Sequence, residues 1–229
     1  VWGYKMENSN KAIQKKRMMS YFIEATNEII DKEGLDNLTI RKVADKAGYN
    51  SATLYNYFKN LKHLIFFSSI RYLSSYAKEL PEYLARATSP IDSCLKVWEC
   101  FAKHSYNNPR VYQLIFFGGF SSDTVNNSIK TYYEIFPEKI SEDVKEYMPM
   151  LMEDNLYERD YILLKKALKD TDISDEDIRN INEMNILIYR GMMADIETNY
   201  FNLSIDDAVS KTLKYVKKVF KAYGIESDN

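Results

Sequence analysis

Residues 34–65 read GLDNLTIRKVADKAGYNSATLYNYFKNLKHLI, and the punctuation of this stretch decides how the chain folds. Thr39 is a good N-cap for a short helix carrying Val43, Ala44 and Ala47 inward, and Gly48 stops that helix in a tight turn. Asn50 caps a second short helix over Ser51–Tyr57, and Asn60 caps a long helix through Leu64, Phe67, Ile70, Leu73 and Leu80 that is expected to end at Pro81. Upstream, Met19, Phe22, Ile23, Thr26, Ile29 and Ile30 form a stripe at helical spacing over residues 11–33, closed by Gly34. A long helix, two short ones about a glycine turn and another long helix form a helix-turn-helix, in which the second short helix enters a DNA major groove.

Angular position sorts the short helix over Ser51–Tyr57. At about 100° per residue, Leu54 and Phe58 lie about 40° apart and hold it to the core, while Ala52, Thr53 and Asn56 fall on the opposite side. That opposite face is small or hydrogen-bonding, so the helix can sit deep enough for Thr53 and Asn56 to reach base edges, with Ser51 at its first position. Tyr55 and Tyr57 flank it with hydroxyls for phosphate oxygens. Arg41 has the reach for a bidentate guanine contact, and Thr39 offers phosphate a hydroxyl or the N-terminus of its helix. Each alone would pass for an ordinary surface residue; their joint pattern points to DNA.

The stretch Gly34–Ile65 resembles the N-terminal domain of the tetracycline-repressor (TetR) family of transcriptional regulators. Thr39, Arg41, Ala44, Ala47, Gly48, Thr53, Leu54, Tyr55, Tyr57 and Phe58 stand where that pattern wants them. Asn50 replaces a common Ser, Ala52 a common Gly, and Leu61 a common Lys, so that Lys59 or Lys62 is left to supply a phosphate contact. The resemblance implies a DNA-binding domain over residues 6–59. It also implies a helical regulatory and dimerisation domain over 60–229, with an internal ligand pocket and the last two helices paired between copies.

The remainder of the chain is read for helix starts. Only seven Gly and five Pro occur among 229 residues that are 45% hydrophobic, and spacings of three and four dominate, so the fold class is all-α, with about nine to ten helices. Ser89-Pro90-Ile91-Asp92, Asn108-Pro109, Ser121, Ser174-Asp175 and Ser204-Ile205-Asp206 read as helix starts, while residues 135–152, broken by Pro137 and Pro149, resist placement. The acids after Ser174 favour a helix N-terminus rather than a metal site.

Tyr72, Tyr76, Trp98, Phe101, His104, Tyr112, Phe116, Tyr133 and Tyr189 are candidate walls for a small apolar or aromatic effector, being aromatic bodies with polar tips. Met192, Met193, Ile196 and Tyr200, with Val209, Leu213, Val216 and Phe220, are candidates for a homodimer interface. No metal or cofactor is expected: only one other histidine, His63, accompanies His104, and no catalytic motif occurs, so an enzyme is not expected.

The net charge of −2 is unevenly spread: residues 1–66 hold 11 Lys/Arg against 7 Asp/Glu, leaving 20 against 26 beyond. A basic N-terminal quarter suits a double-stranded DNA operator, and Lys11, Lys15, Lys16 and Arg17 could extend its footprint. Cys94 and Cys100 lie about 120° apart on a helix, so buried free thiols and a reducing cytoplasm are expected. VWGYK before Met6 is too short and polar for a signal peptide, Val1–Lys5 are set aside from the fold, and no apolar run suits a membrane. The expected function is a transcriptional repressor that binds a near-palindromic operator as a homodimer and is released by an effector. The other reading is an architectural or protein-binding use of the same fold without one.

Overall fold

The computed structural model describes residues 10–119, 122–137 and 141–226. These hold eleven α-helices and no strand: α1 Asn10–Glu33, α2 Ile40–Ala47, α3 Ser51–Tyr55, α4 Leu61–Leu84, α5 Pro90–Asn107, α6 Pro109–Phe117, α7 Ser122–Ile135, α8 Met148–Leu151, α9 Leu156–Ala167, α10 Asp175–Thr198 and α11 Ile205–Ala222. Two 3₁₀ turns lie at Leu35–Asn37 and Glu142–Tyr147. The all-α expectation is met, with slightly more helices than expected. Val1–Lys5 and the helix start at Ser121 lie outside the described residues.

Packing divides the chain into two units, one of residues 1–70 with 123–138, the other of residues 71–122 with 139–229. The division falls within α4, whose first ten residues belong to the N-terminal unit. That unit is centred on Phe22, Ile23, Val43, Ala44, Leu54, Phe58, Leu64 and Phe67, all buried. Phe58 is its hub, meeting Phe22 and Phe67 edge-on with centroids 6.3 and 5.7 Å away.

Helix α2 starts where the Thr39 hydroxyl accepts the Lys42 N–H at 3.2 Å and ends at Gly48, whose φ of 80° is left-handed. A Cβ on Gly48 would meet nothing within 4 Å, so the backbone conformation alone demands glycine. At the start of α3, Asn50 Oδ1 accepts from both the N–H and the hydroxyl of Thr53, at 2.9 and 3.0 Å.

Three expectations need correction. Helix α3 stops at Tyr55, and residues 56–57 form a turn in which the N–H groups of Tyr57 and Phe58 both reach the Leu54 carbonyl, at 3.0 and 3.1 Å. Helix α4 continues through Pro81 to Leu84. An interior proline costs about 3 kcal/mol, but the turn it would break buries Leu80 and Tyr83, and the Ala85 N–H still bonds the Pro81 carbonyl at 2.9 Å. Asn108 precedes α6 without capping it by side chain; its Nδ2 instead donates to the His104 carbonyl at 3.3 Å, closing the end of α5.

The C-terminal unit is built around α5, which packs on α9, α10 and α11. Tyr106 and Thr212 join their hydroxyls across the buried α5–α11 seam at 2.8 Å. Ser89, Ser174 and Ser204 cap α5, α10 and α11 by accepting the N–H groups of Asp92, Asp177 and Asp207, each at 3.1 Å. The acids following Ser174 are thus a helix start, as their order predicts. Both cysteines are buried and free, and burial pushes their thiols upward.

Candidate nucleic-acid interface

In the N-terminal unit the cations of α2 have different fates. Lys42 Nζ reaches Glu33 on α1 at 2.7 Å and Lys46 Nζ reaches Glu28 at 2.8 Å, which lowers the Glu28 pKa. Arg41 extends into solvent with its side chain 89% exposed, 3.8 Å from Asp45 on the same helix. An exposed pair at that distance is worth a few tenths of a kcal/mol at most. Arg41 is therefore available to an external anion, while its neighbours brace α2 against α1.

Helix α3 presents the low profile its sequence predicts. Leu54 and Phe58 are wholly buried, and Ala52, Tyr55 and Asn56 are exposed. Ser51 and Thr53 are half-buried, the Thr53 hydroxyl already donating within the cap. The tyrosines differ: Tyr55 stands 55% exposed, whereas Tyr57 is half-buried with its ring 6.0 Å from that of Phe22. Because α3 ends at Tyr55, the 100° step does not carry to Tyr57, and the turn lays that ring against the core. Tyr49 also packs on Phe22, at 5.6 Å, and stacks on exposed Tyr21 at 6.4 Å, an aromatic edge that the sequence reading passed over.

Beyond α3, Lys59 and Lys62 are exposed. His63 holds this corner: its N–H goes to Asn60 Oδ1 at 2.8 Å, its Nδ1 accepts the Lys59 N–H at 3.3 Å, and its ring packs on Phe58 and Phe67. Burial, with Lys59 nearby, lowers its pKa and favours the neutral ring. On α1, Lys11, Lys15 and Arg17 are exposed and Lys16 pairs with Glu134 at 3.2 Å.

The candidate ligand residues fall into separate settings. In the C-terminal unit Phe101 is ringed by Tyr76, Trp98, Tyr112, Phe116 and Tyr189, with centroids 5.3 to 6.1 Å away. Tyr76, Trp98 and Phe101 face a cavity of about 20 Å³, shared with Met150, Leu156, Arg159, Asp160 and Leu163. That is room for one water-sized group. His104 is tied to Glu79 at 2.6 Å, and Tyr72 receives Arg71 Nη2 at 2.9 Å. Tyr133 belongs to the N-terminal unit, edge-on to Tyr132.

The sequence reading missed Arg159 and Asp160, since a charged pair in mid-helix looks like surface. Both are buried. Asp160 accepts from Trp98 Nε1 at 2.8 Å and Asn185 Nδ2 at 3.2 Å, yet burial outweighs those bonds and lifts its pKa to about 7.

Among the candidate dimer residues, Met192, Met193, Val209, Val216 and Phe220 are buried within the single chain, Ile196 and Leu213 are half-buried, and Tyr200 is 77% exposed. The exposed large apolar residues on and just after α10 and on α11 are Leu187, Tyr200, Phe201 and Tyr215. Among the described residues, no group of three or more His, Cys, Asp or Glu could hold a metal, and no helix is long and apolar enough to cross a membrane.

The family model for bacterial regulatory proteins of the tetR family matches residues 22–66, from within α1 to the first turns of α4. No curated protein matches the chain. Similar solved structures include a TetR-family repressor, FadR of Thermus thermophilus, in complex with lauroyl-CoA. It is 14% identical, covers 92% of this chain and 97% of its own, and has a TM-score of 0.53. The fatty acid degradation regulator FadR of Bacillus halodurans is 15% identical over 87% of this chain and 94% of its own, with a TM-score of 0.51. A TetR-like regulator from Rhodococcus sp. RHA1 is 13% identical over 89% and 96%, also at 0.51. The resemblance read from Gly34–Ile65 is borne out, and the chain has the fold of a TetR-type transcriptional regulator.

Proposed function

We propose that this chain is a repressor that binds a near-palindromic operator as a homodimer, with residues 6–59 reading DNA and residues 60–229 serving regulation and dimerisation in the cytoplasm. The observation that carries the reading is α3, buried through Leu54 and exposed through Ala52 and Tyr55 within the segment that matches the tetR family. Thr39, Arg41, Ser51, Ala52, Thr53, Tyr55, Asn56, Lys59 and Lys62 are the proposed contacts, and Tyr57 joins them only through its hydroxyl. Exposed Leu187, Tyr200, Phe201 and Tyr215 supply the apolar surface for a second copy. Two such α3 helices about 34–36 Å apart would require two half-sites one helical turn apart.

Effector binding in the C-terminal unit would shift α4, which belongs to both units. A coupling of about 1–3 kcal/mol between effector and operator gives about 5- to 150-fold release. The small size of the 20 Å³ cavity favours a second reading, an architectural or protein-binding protein with no effector. Selection of bound sequences from a random DNA pool, followed by sizing of the complex, tests the first. Enrichment of a two-fold motif held by two chains supports it, and a pool without enrichment refutes sequence-specific binding.

A further inference from the structure

Arg159 on α9 is only 4% exposed. Its Nη1 donates to the Leu151 and Glu153 carbonyls, both at 3.3 Å, and the Tyr76 hydroxyl also interacts with the guanidinium. Aromatic faces cover it, Phe116 at 5.2 Å and Tyr76 and Phe101 at 6.0 Å. Among the described residues no carboxylate makes an ion-pair contact with Arg159: Glu153 acts on it from farther off, and the next residue, Asp160, is engaged with Trp98 and Asn185. A guanidinium has five N–H donors in a fork matched to a carboxylate. Burial of the guanidinium is unfavourable, and the aromatic faces and one distant carboxylate offset it only in part. The rest of the fork, facing the cavity, can receive an anion from outside.

Its surroundings indicate what else the anion would carry. Arg159 lines the small cavity with Tyr76, Trp98 and Phe101, and Leu163 lines both this cavity and a cleft of about 250 Å³ that is also lined by Cys94, Tyr147 and Lys166 among others. The cavity alone admits a group the size of a carboxylate oxygen or a water. Movement of Leu163, the residue common to both linings, would join the two spaces into one near the lower end of ligand pockets, about 300 Å³.

We propose that Arg159 is the recognition residue of the effector site and that the effector is a small carboxylic acid, its carboxylate on the guanidinium and its aromatic or aliphatic body extending past Leu163 toward the cleft. This rests on the reading of the C-terminal unit as effector-binding.

The test uses the full chain with benzoate, phenylacetate and octanoate, each beside its uncharged primary amide, with affinities from thermal shift. At least one carboxylate should bind about 100-fold more tightly than its amide, as a desolvated two-point charged hydrogen bond implies, and Arg159→Gln should abolish that preference. Arg159→Met without ligand should melt at or above wild type, because a buried cation with no ion-pair contact is removed. Equal binding of acid and amide, a preference that survives Arg159→Gln, a panel in which no acid binds, or a fall of more than about 5 °C for Arg159→Met would each overturn the proposal. Operator affinity is read separately by anisotropy. A carboxylate that binds through Arg159 but leaves DNA affinity unchanged supports the anion site and refutes effector release.

Discussion

Asp160 offers a substitution whose effect on stability can be worked from its surroundings. Its carboxyl is buried and its pKa is raised to about 7, against 3.8 for the free group. The native state therefore holds the proton more tightly than the unfolded chain, so stability is fully present below the unfolded value and is lost as pH rises toward and through about 7. A shift of about 3 units at 1.36 kcal/mol per unit sets the full loss at about 4 kcal/mol, nearly all of it accrued by neutral pH. Asp160→Asn removes the ionisation and leaves an oxygen to accept from Trp98 Nε1. Its new N–H can be met by Asn185, whose Oδ1 is buried without a hydrogen-bond partner and can turn to accept.

Urea unfolding followed by helical circular dichroism, from about pH 4.5 to pH 8.5, measures the difference. The variant should exceed wild type by no more than about 1 kcal/mol at the acid end and by about 2–4 kcal/mol above neutrality, as wild type alone declines. A difference that does not change with pH, or a variant weaker than wild type throughout, would show that the hydrogen bonds to Asp160 outweigh its burial and would refute the reasoning.

Arg41→Ala should leave stability within about 0.5 kcal/mol, since its one described ion pair is exposed and 3.8 Å long, and should weaken operator binding by about 1–3 kcal/mol; unchanged affinity in a titration at fixed salt would remove Arg41 from base reading. Tyr55→Ala and Tyr57→Ala should separate, the first lowering DNA affinity with an unchanged melting temperature and the second lowering the melting temperature through its lost packing on Phe22; the reverse order would contradict their placement. The His63 pKa lies below its usual 6.5, so the neutral ring's contribution is complete above that value and is lost as pH falls below it; His63→Gln should flatten that part of the pH–stability curve, and an unaltered slope would count against the assignment.

Caps and local periodicity were readable because they are short-range. Thr39, Asn50, Ser174 and Ser204 each cap the helix their side-chain chemistry predicts, because the oxygen and the N–H it accepts are two or three residues apart in any fold. Leu54 and Phe58 were likewise placed by angle alone. The same rules failed where distant packing intervened: α4 passes Pro81 because its last turn buries Leu80 and Tyr83, and Tyr57 turns onto Phe22, a residue 35 positions earlier.

By itself, then, the sequence determined the helical class, the helix-turn-helix and the face of α3 turned to solvent, all consequences of contacts within a few turns of chain. Only the tertiary structure decided which apolar stripes close on their own chain, as Val216 and Phe220 do, and which stay open, as Leu187 and Tyr200 do. It alone also revealed Arg159 and Asp160 as buried charges. Burial is a sum over neighbours from α4, α5, α6 and α10, and no local pattern of residues encodes it.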